Sequence, residues 1–576
     1  MTRFISAAWL GLMAAIASAQ GTGVGGFQYY GITHVSWWFD EYTYATATAS
    51  RNDLAATSAN WAAVLATWYQ PNLTASTIAP SSTQTPTDAA VIQAITEFHN
   101  KGIKVMLKPH VDVNDANNSW RGSINPLSPD AWFTSYTSFI THYAQLAASN
   151  GVEMLCIGTE LKTVSGASNV TRWYQVIDAI KAVYSGKLTY ASNATSAGDE
   201  FTSVSFWDRL DLIGLDGYFQ LTNQLDPTLA QLVAAWQGNA NRLNIVSAVS
   251  NLASAHQKPI IFTEIGYKSV AGANIAPWDY GRPGTYDPTE QRNCMDAAFT
   301  AWTPYSQWLL GFFWWAWPVQ PPAATDEDYN PRGKPAAALL KAWQSPVNAA
   351  NGVTNAADYK TDALSPGAII SLWGNSLSTG ILNYSGFPLS NTMLDTSAFV
   401  NGVPAPLFFV SPGQVNAQLP YEVTGGTAVA EVDSNGGIAL TQIKVTQAGP
   451  GIFTINGQGT GDGSFLNAVN FATVSSQQAI AAGDYLAIYC TGLGAVTPPA
   501  QTGQVPASPL RYTSQQAEVT IDGQALSTYT ASVLAPGFVG LYQVNTQIPT
   551  NLPPGQHQLQ IFVNGAGSNI VTLATK

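Results

Sequence analysis

Charge is scarce in this sequence. Only 10% of the 576 residues are Asp, Glu, Lys or Arg, against about a quarter in an ordinary soluble domain. The 23 basic residues are outnumbered by 35 acidic ones, for a net charge of −12. No cluster of Lys or Arg interrupts the chain, so the electrostatic footprint that phosphate backbones or anionic lipid require is missing and nucleic acid is excluded as a partner. Cysteine is almost absent: Cys156, Cys294 and Cys490 lie far apart in sequence. Cys156 sits in an apolar run and reads as a buried small hydrophobe; no disulfide, metal site or cofactor is assigned. No segment after the N-terminus offers the ~18 consecutive apolar residues of a membrane span, because the candidates near Leu309 and Ala363 are broken by Pro, Gly or polar residues.

What is present is Ser, Thr, Asn and Gln, together with 49 Gly, 33 Pro and 18 Trp. Met1-Thr2-Arg3, an apolar stretch from Phe4 to Ile16 and Ala17-Ser18-Ala19 form the three parts of a secretory signal peptide over residues 1–19. The expected product is therefore secreted, extracellular or periplasmic; separately, a monomer is expected.

Composition changes near residue 348. Up to Trp343 the chain is rich in tryptophan and alternates β-branched or apolar runs with helical patterns; from Pro346 onward short alternating runs lie between Gly, Pro, Asn and Asp turns. The first part holds eight strand candidates: Gly31 to Ser36, Trp61 to Thr67, Ile103 to Lys108, Glu153 to Gly158, Lys187 to Ala191, Asp211 to Leu215, Pro259 to Thr263 and Leu309 to Trp314. Seven of them precede a helical pattern. The clearest runs from Thr87 to His99, with Val91, Ile92, Ile95 and Phe98 on one face, Thr85-Pro86 as cap and first turn, and Gly102 as the stop. Near-continuous apolar strands such as Leu309 to Phe313 are buried on both faces, and eight such units predict an α/β fold, a (β/α)8 barrel, over residues 20–347.

The second part repeats itself. Gln414-Val415-Asn416-Ala417-Gln418-Leu419-Pro420 recurs as Gln543-Val544-Asn545-Thr546-Gln547-Ile548-Pro549, and the turns Asn401-Gly402 and Asp522-Gly523 correspond. This predicts two immunoglobulin-like sandwiches, over 348–455 and 456–576.

A barrel carries its reactive groups at the carboxyl ends of its strands. Two of these windows end in glutamate: Glu160 after Leu155-Cys156-Ile157-Gly158-Thr159, and Glu264 after Pro259-Ile260-Ile261-Phe262-Thr263. An unpaired carboxylate is costly at the end of an apolar strand, so a pocket explains both more easily than packing does. Strands four and seven face each other across a barrel mouth, and two facing carboxylates can cleave a glycosidic bond. Tryptophans at strand ends supply flat rings for the apolar face of a sugar: Trp315 foremost, Trp317, Trp68, Trp37 and Trp38, with Trp120 and Trp278 on longer loops. Tyr218 is placed to hydrogen-bond Glu264. Lys108, His110 and Asn193 are candidates to bind sugar hydroxyls.

The barrel sequence resembles the retaining glycoside hydrolases of clan A, and most of all family 113, whose characterised members are β-mannanases. The matching stretches are Trp68-Tyr69-Gln70, Met106 to Asp112, Gly158-Thr159-Glu160, Asp211 to Phe219, Phe262 to Tyr267 and Lys334-Pro335-Ala336. The resemblance implies that Glu160 is the acid/base, Glu264 the nucleophile and a β-linked mannan the substrate. One departure stands out: many clan A enzymes carry Asn before the acid/base, contacting the sugar 2-hydroxyl, where this chain has Thr159. The tail resembles a repeated C-terminal module of secreted acidobacterial proteins. Two other functions stay open at this point: hydrolysis of another β-glycan, such as a glucan or galactan, and a non-catalytic glycan-binding surface role.

Overall fold

The computed structural model describes residues 23–345, 352–527 and 530–576, and the signal-peptide segment lies outside them. The chain divides into two compact units, Met1–Pro346 and Val347–Lys576.

In the first unit eight strands close into a barrel in chain order: β1 (Tyr29–Val35), β2 (Trp61–Gln70), β3 (Lys104–Val113), β4 (Met154–Thr159), β5 (Lys187–Ala194), β6 (Ile213–Gly217), β7 (Ile260–Ile265) and β8 (Leu309–Pro318). Every neighbouring pair is parallel, including β8 with β1. The helices are α1 (Ala45–Ala55), α2 (Asp88–His99), α3 (Pro129–Ser149), α4 (Val170–Lys181), α5 (Leu229–Ala235), α6 (Ile245–His256), α7 (Pro288–Trp302) and α8 (Pro335–Gln344). Only β5 is followed by short 3-10 turns instead of an α-helix. The α2 helix begins at Asp88, and its cap lies two residues later than its sequence suggests. Thr87, not Thr85, caps it by accepting from the Ala90 N–H at 3.2 Å, while Thr85 donates to the Thr67 carbonyl at 2.6 Å.

Strand periodicity decides what enters the barrel. Trp61 and Ala63 of β2, Met106 of β3, Met154 and Cys156 of β4 and Ile261 of β7 meet with Tyr29 and Phe313 in one inner cluster. Leu65, Val35 and Ala316 form a layer with Trp315 packed against it. Because successive side chains alternate faces, Lys108 and His110 share the inner face of β3 with Met106. All three cysteines are buried and free, and burial pushes the Cys156 thiol up to about 11.

The barrel closes with its own residues. Trp343 of α8 stacks on Phe299 of α7 with centroids 5.0 Å apart, donates to Asp296 Oδ1 at 2.9 Å, and its carbonyl accepts from the Val24 N–H at 2.9 Å. Such an aromatic pair is worth about 0.5–1.5 kcal/mol beyond its buried area. The closed barrel consists of β1 to β8 alone, so truncation after residue 346 should leave a soluble barrel that unfolds cooperatively. A truncated barrel that is insoluble, or that shows no cooperative unfolding, would contradict this reading.

The second unit holds two antiparallel sandwiches, each with its own core. The repeated heptapeptides occupy equivalent inner strands. Gln414–Gln418 lies between Leu407–Val410 and Ile369–Trp373, and Tyr542–Gln547 lies between Tyr485–Thr491 and Thr530–Leu534. In both, the valine is buried and the glutamine donates to the asparagine two residues on, at 2.8 Å. Asn401-Gly402 and Asp522-Gly523 both turn through positive φ, as two-residue hairpins require. The short strand Gly451–Ile452 pairs with Tyr485–Thr491 of the second sandwich, so that sandwich begins before residue 455.

Candidate active site

The carboxyl ends of the barrel strands open on a cleft of about 860 Å³. Glu160 and Glu264 both line it, with Trp37, Trp120, Trp278, Tyr280 and Trp315. This is a mixed surface of rings and charge, the composition of a carbohydrate site.

Glu264 is the penultimate residue of β7 and is 6% exposed. Its two oxygens are held separately: Lys108 Nζ donates closely to Oε1, and Tyr218 Oη donates to Oε2 at 2.9 Å. Lys108 is fully buried and also contacts Asp216 Oδ1 at 3.3 Å. Asp216 in turn accepts from Thr263 Oγ1 at 2.8 Å. Burial alone would push Lys108 down, but the Asp216 and Glu264 carboxylates hold it above its ordinary value. Two carboxylates thus share one ammonium. Asp216 is pushed well up, by burial first and by Glu264 second.

Glu160 follows β4 in the left-handed region, φ +52°, a conformation that costs a non-glycine residue roughly 1–2 kcal/mol. Its N–H donates to the Ala191 carbonyl at 2.7 Å. Asn193 Nδ2 donates to Oε1 at 2.8 Å and Trp120 Nε1 to Oε2 at 3.2 Å. Arg121, anchored to Asp112 at 2.7 Å, stands 3.9 Å from Oε2. Beneath this strand end Gly158 admits the Tyr190 ring, since a Cβ there would lie 2.8 Å from that ring and 2.7 Å from Tyr136 Oη. Glu200, in the turn after β5, is fully buried and accepts from Ser165 Oγ, the Asn193 N–H and Tyr190 Oη. Burial pushes its carboxyl up to about 7 despite those donors.

The residues singled out in the sequence divide. Glu160, Glu264, Tyr218, Asn193 and Trp315 line the cleft together, joined by Trp37, Trp120 and Trp278. Trp37 meets Trp315 edge-on at 6.2 Å. Asn193, expected on a sugar hydroxyl, bonds Glu160 instead. Lys108 does not reach the cleft wall; it is a buried cation under Glu264. His110 is also fully buried, its Nε2 3.9 Å from Glu264 Oε1, and burial followed by Arg121 and Lys108 pushes it well below the usual imidazole range. Trp68 is displaced altogether. It stands one residue out of phase with Trp61, Ala63 and Leu65, so it faces outward and packs on Phe139, His142 and Tyr143 of α3. Trp317 likewise turns to α1, donating to the Ser50 carbonyl at 3.0 Å, and Trp38 is half exposed outside the cleft. Sequence reasoning missed Asp216, Arg121 and Glu200. The first carried a signal, a lone carboxylate inside the apolar β6 window; Glu200 lies in a loop with no periodic mark. Among the described residues no group of His, Cys, Asp and Glu is spaced to hold a metal ion.

The model of Glycoside Hydrolase Family 113 matches residues 33–334, just over half of the chain. A solved family 113 β-mannanase from Alicyclobacillus acidocaldarius is 28% identical, with 56% of this chain and 98% of that one covered and a TM-score of 0.49. A solved family 113 β-1,4-mannanase is 25% identical, covering 55% of this chain and 98% of that one, with a TM-score of 0.48. The endo-β-1,4-mannanase of Thermotoga petrophila is 11% identical over 74% of this chain and 99% of that one, with a TM-score of 0.36. No curated protein sequence matches the chain.

Proposed function

Because the chain belongs to glycoside hydrolase family 113, we propose that it is a secreted endo-β-1,4-mannanase working by double displacement, with Glu264 as nucleophile and Glu160 as acid/base. One observation carries the assignment: the two glutamates open on a single cleft lined by aromatic rings, and each is dressed for a different task. Glu264 receives an ammonium and a phenol hydroxyl, one on each oxygen, which complements a carboxylate aimed at the anomeric carbon. Glu160 receives only neutral donors, Asn193 and Trp120, within hydrogen-bond distance. That leaves it suited to carry a proton to the leaving oxygen and, in the second step, to take one from water.

In the first step Glu264 attacks as Glu160 protonates the departing sugar, giving a glycosyl ester on Glu264. In the second, water activated by Glu160 cleaves that ester and restores the original anomeric configuration. Trp315, Trp37, Trp120 and Trp278 supply faces on which pyranose rings stack. A mannan substrate is proposed on membership of the family, and export on the reading of residues 1–19 as a signal peptide. Reducing-sugar release from mannan, glucomannan, cellulose and galactan tests the substrate side by side. Mannan and glucomannan should be cleaved to oligosaccharides of several lengths, with the other two little affected. Preferred cleavage of cellulose or galactan, or release of single sugars only, would overturn the assignment.

A further inference from the structure

Glu200 is a buried carboxylate that the double displacement does not use. It is fully buried and stands outside the residues lining the cleft, where an acid needs a reason to be retained. Its three partners are all donors, and all three belong to the surroundings of Glu160. Asn193 gives Glu200 its backbone N–H at 2.8 Å and gives Glu160 Oε1 its side-chain amide, also at 2.8 Å. Tyr190 gives Glu200 its hydroxyl proton, and the same oxygen accepts the N–H of Leu161, the peptide that follows Glu160, at 2.8 Å. Ser165, in the loop after β4, donates at 2.8 Å.

We propose that Glu200 is a positioning residue for the acid/base, fixing the Glu160 carboxyl through Asn193 and Tyr190. The inference rests on the reading of Glu160 given above. The direction of the bonds calls for a carboxylate. Tyr190 Oη accepts from Leu161 and donates to Glu200, and the Asn193 N–H can only donate. A glutamine has a single acceptor oxygen. Turned toward Asn193 it would present its amide protons to Tyr190, and turned toward Tyr190 it would set N–H against N–H at Asn193. Either way one strap on Glu160, a residue already held at φ +52°, is released.

The test is Glu200→Gln, with kcat/KM measured on mannan and on 2,4-dinitrophenyl β-mannobioside. Mannan has a poor leaving group that needs a proton placed on it. A displaced acid should lower its kcat/KM by roughly 10- to 100-fold. The dinitrophenolate leaves without help, so its kcat/KM, which reports formation of the glycosyl ester, should stay within about threefold. Equal losses on both substrates, or no loss on either, would overturn the proposal, since a general loosening of the fold does not discriminate by leaving group. Glu160→Ala assayed in parallel separates the two readings. If it also fails to discriminate, the acid/base assignment itself is wrong; if it discriminates and Glu200→Gln does not, only the positioning role falls. Should Glu200→Gln fail to fold, Tyr190→Phe, which removes the bridging hydroxyl and keeps the carboxylate, must show the same split, and its absence counts against the proposal.

Discussion

Glu264→Ala should lower kcat on mannan by at least about four orders of magnitude, because removing a nucleophile abolishes the covalent route and leaves only residual binding effects. The protein should still fold, since the side chain lies at the cleft and removing it relieves the crowding of two carboxylates around Lys108. Added azide should then restore turnover on an activated β-mannoside and yield the α-mannosyl azide, the small anion entering from the side Glu264 vacated. Glu160→Ala should give the opposite product, the β-azide, because the ester on Glu264 still forms and is intercepted from the other face. Exchanged azide products from the two variants would reverse the assignment of roles, and identical ones would void it.

The second large effect concerns stability. Lys108 is the one cation between Asp216 and Glu264, and all three are buried or nearly so. Lys108→Met leaves two carboxylates facing each other without it, and breaking a buried ion pair from one side typically costs about 3–5 kcal/mol. Tryptophan fluorescence during urea unfolding reads the barrel, since Trp373 is the only tryptophan beyond Trp343. The expected result is a fall of that size, with part of it regained in Lys108→Met/Asp216→Asn, where a neutral amide replaces the carboxyl that repels Glu264. A loss below about 1 kcal/mol, or a double variant no better than the single, would show that Asp216 and Glu264 do not depend on the lysine.

The barrel was legible because its signals are local. Apolar strands with β-branched and aromatic residues, each followed by a helical stripe, fix the order of elements, and strand ends locate Glu160 and Glu264 without any knowledge of packing. What local pattern does not give is phase and depth. Trp68 and Trp315 both sit at strand ends and both read as sugar platforms, yet one faces α3 and the other the cleft, and a single residue of register decides between them. Lys108, His110 and Asn193 read in the sequence as candidates for sugar hydroxyls, and the structure sets them against Glu264 and Glu160. Their partners, Glu264 and Glu160, lie at the ends of other strands, more than thirty residues away, and no spacing within one strand reports them. Glu200 is the extreme case. Its meaning depends on Ser165, Tyr190 and Asn193 converging from two separate strand ends, which only the closed barrel brings about.

The central claim is that the glycosyl intermediate forms on Glu264. The most direct measurement is covalent trapping with 2-deoxy-2-fluoro-β-mannosyl fluoride, whose 2-fluorine slows both formation and breakdown of the ester while its fluoride leaving group keeps formation fast, followed by mass spectrometry of peptic fragments. The account predicts a single added 2-fluoromannosyl group, carried by the peptide containing Phe262-Thr263-Glu264-Ile265. A label on Glu160 or Asp216 would contradict it, as would an unlabelled enzyme whose products from mannan appear first as the α-anomer.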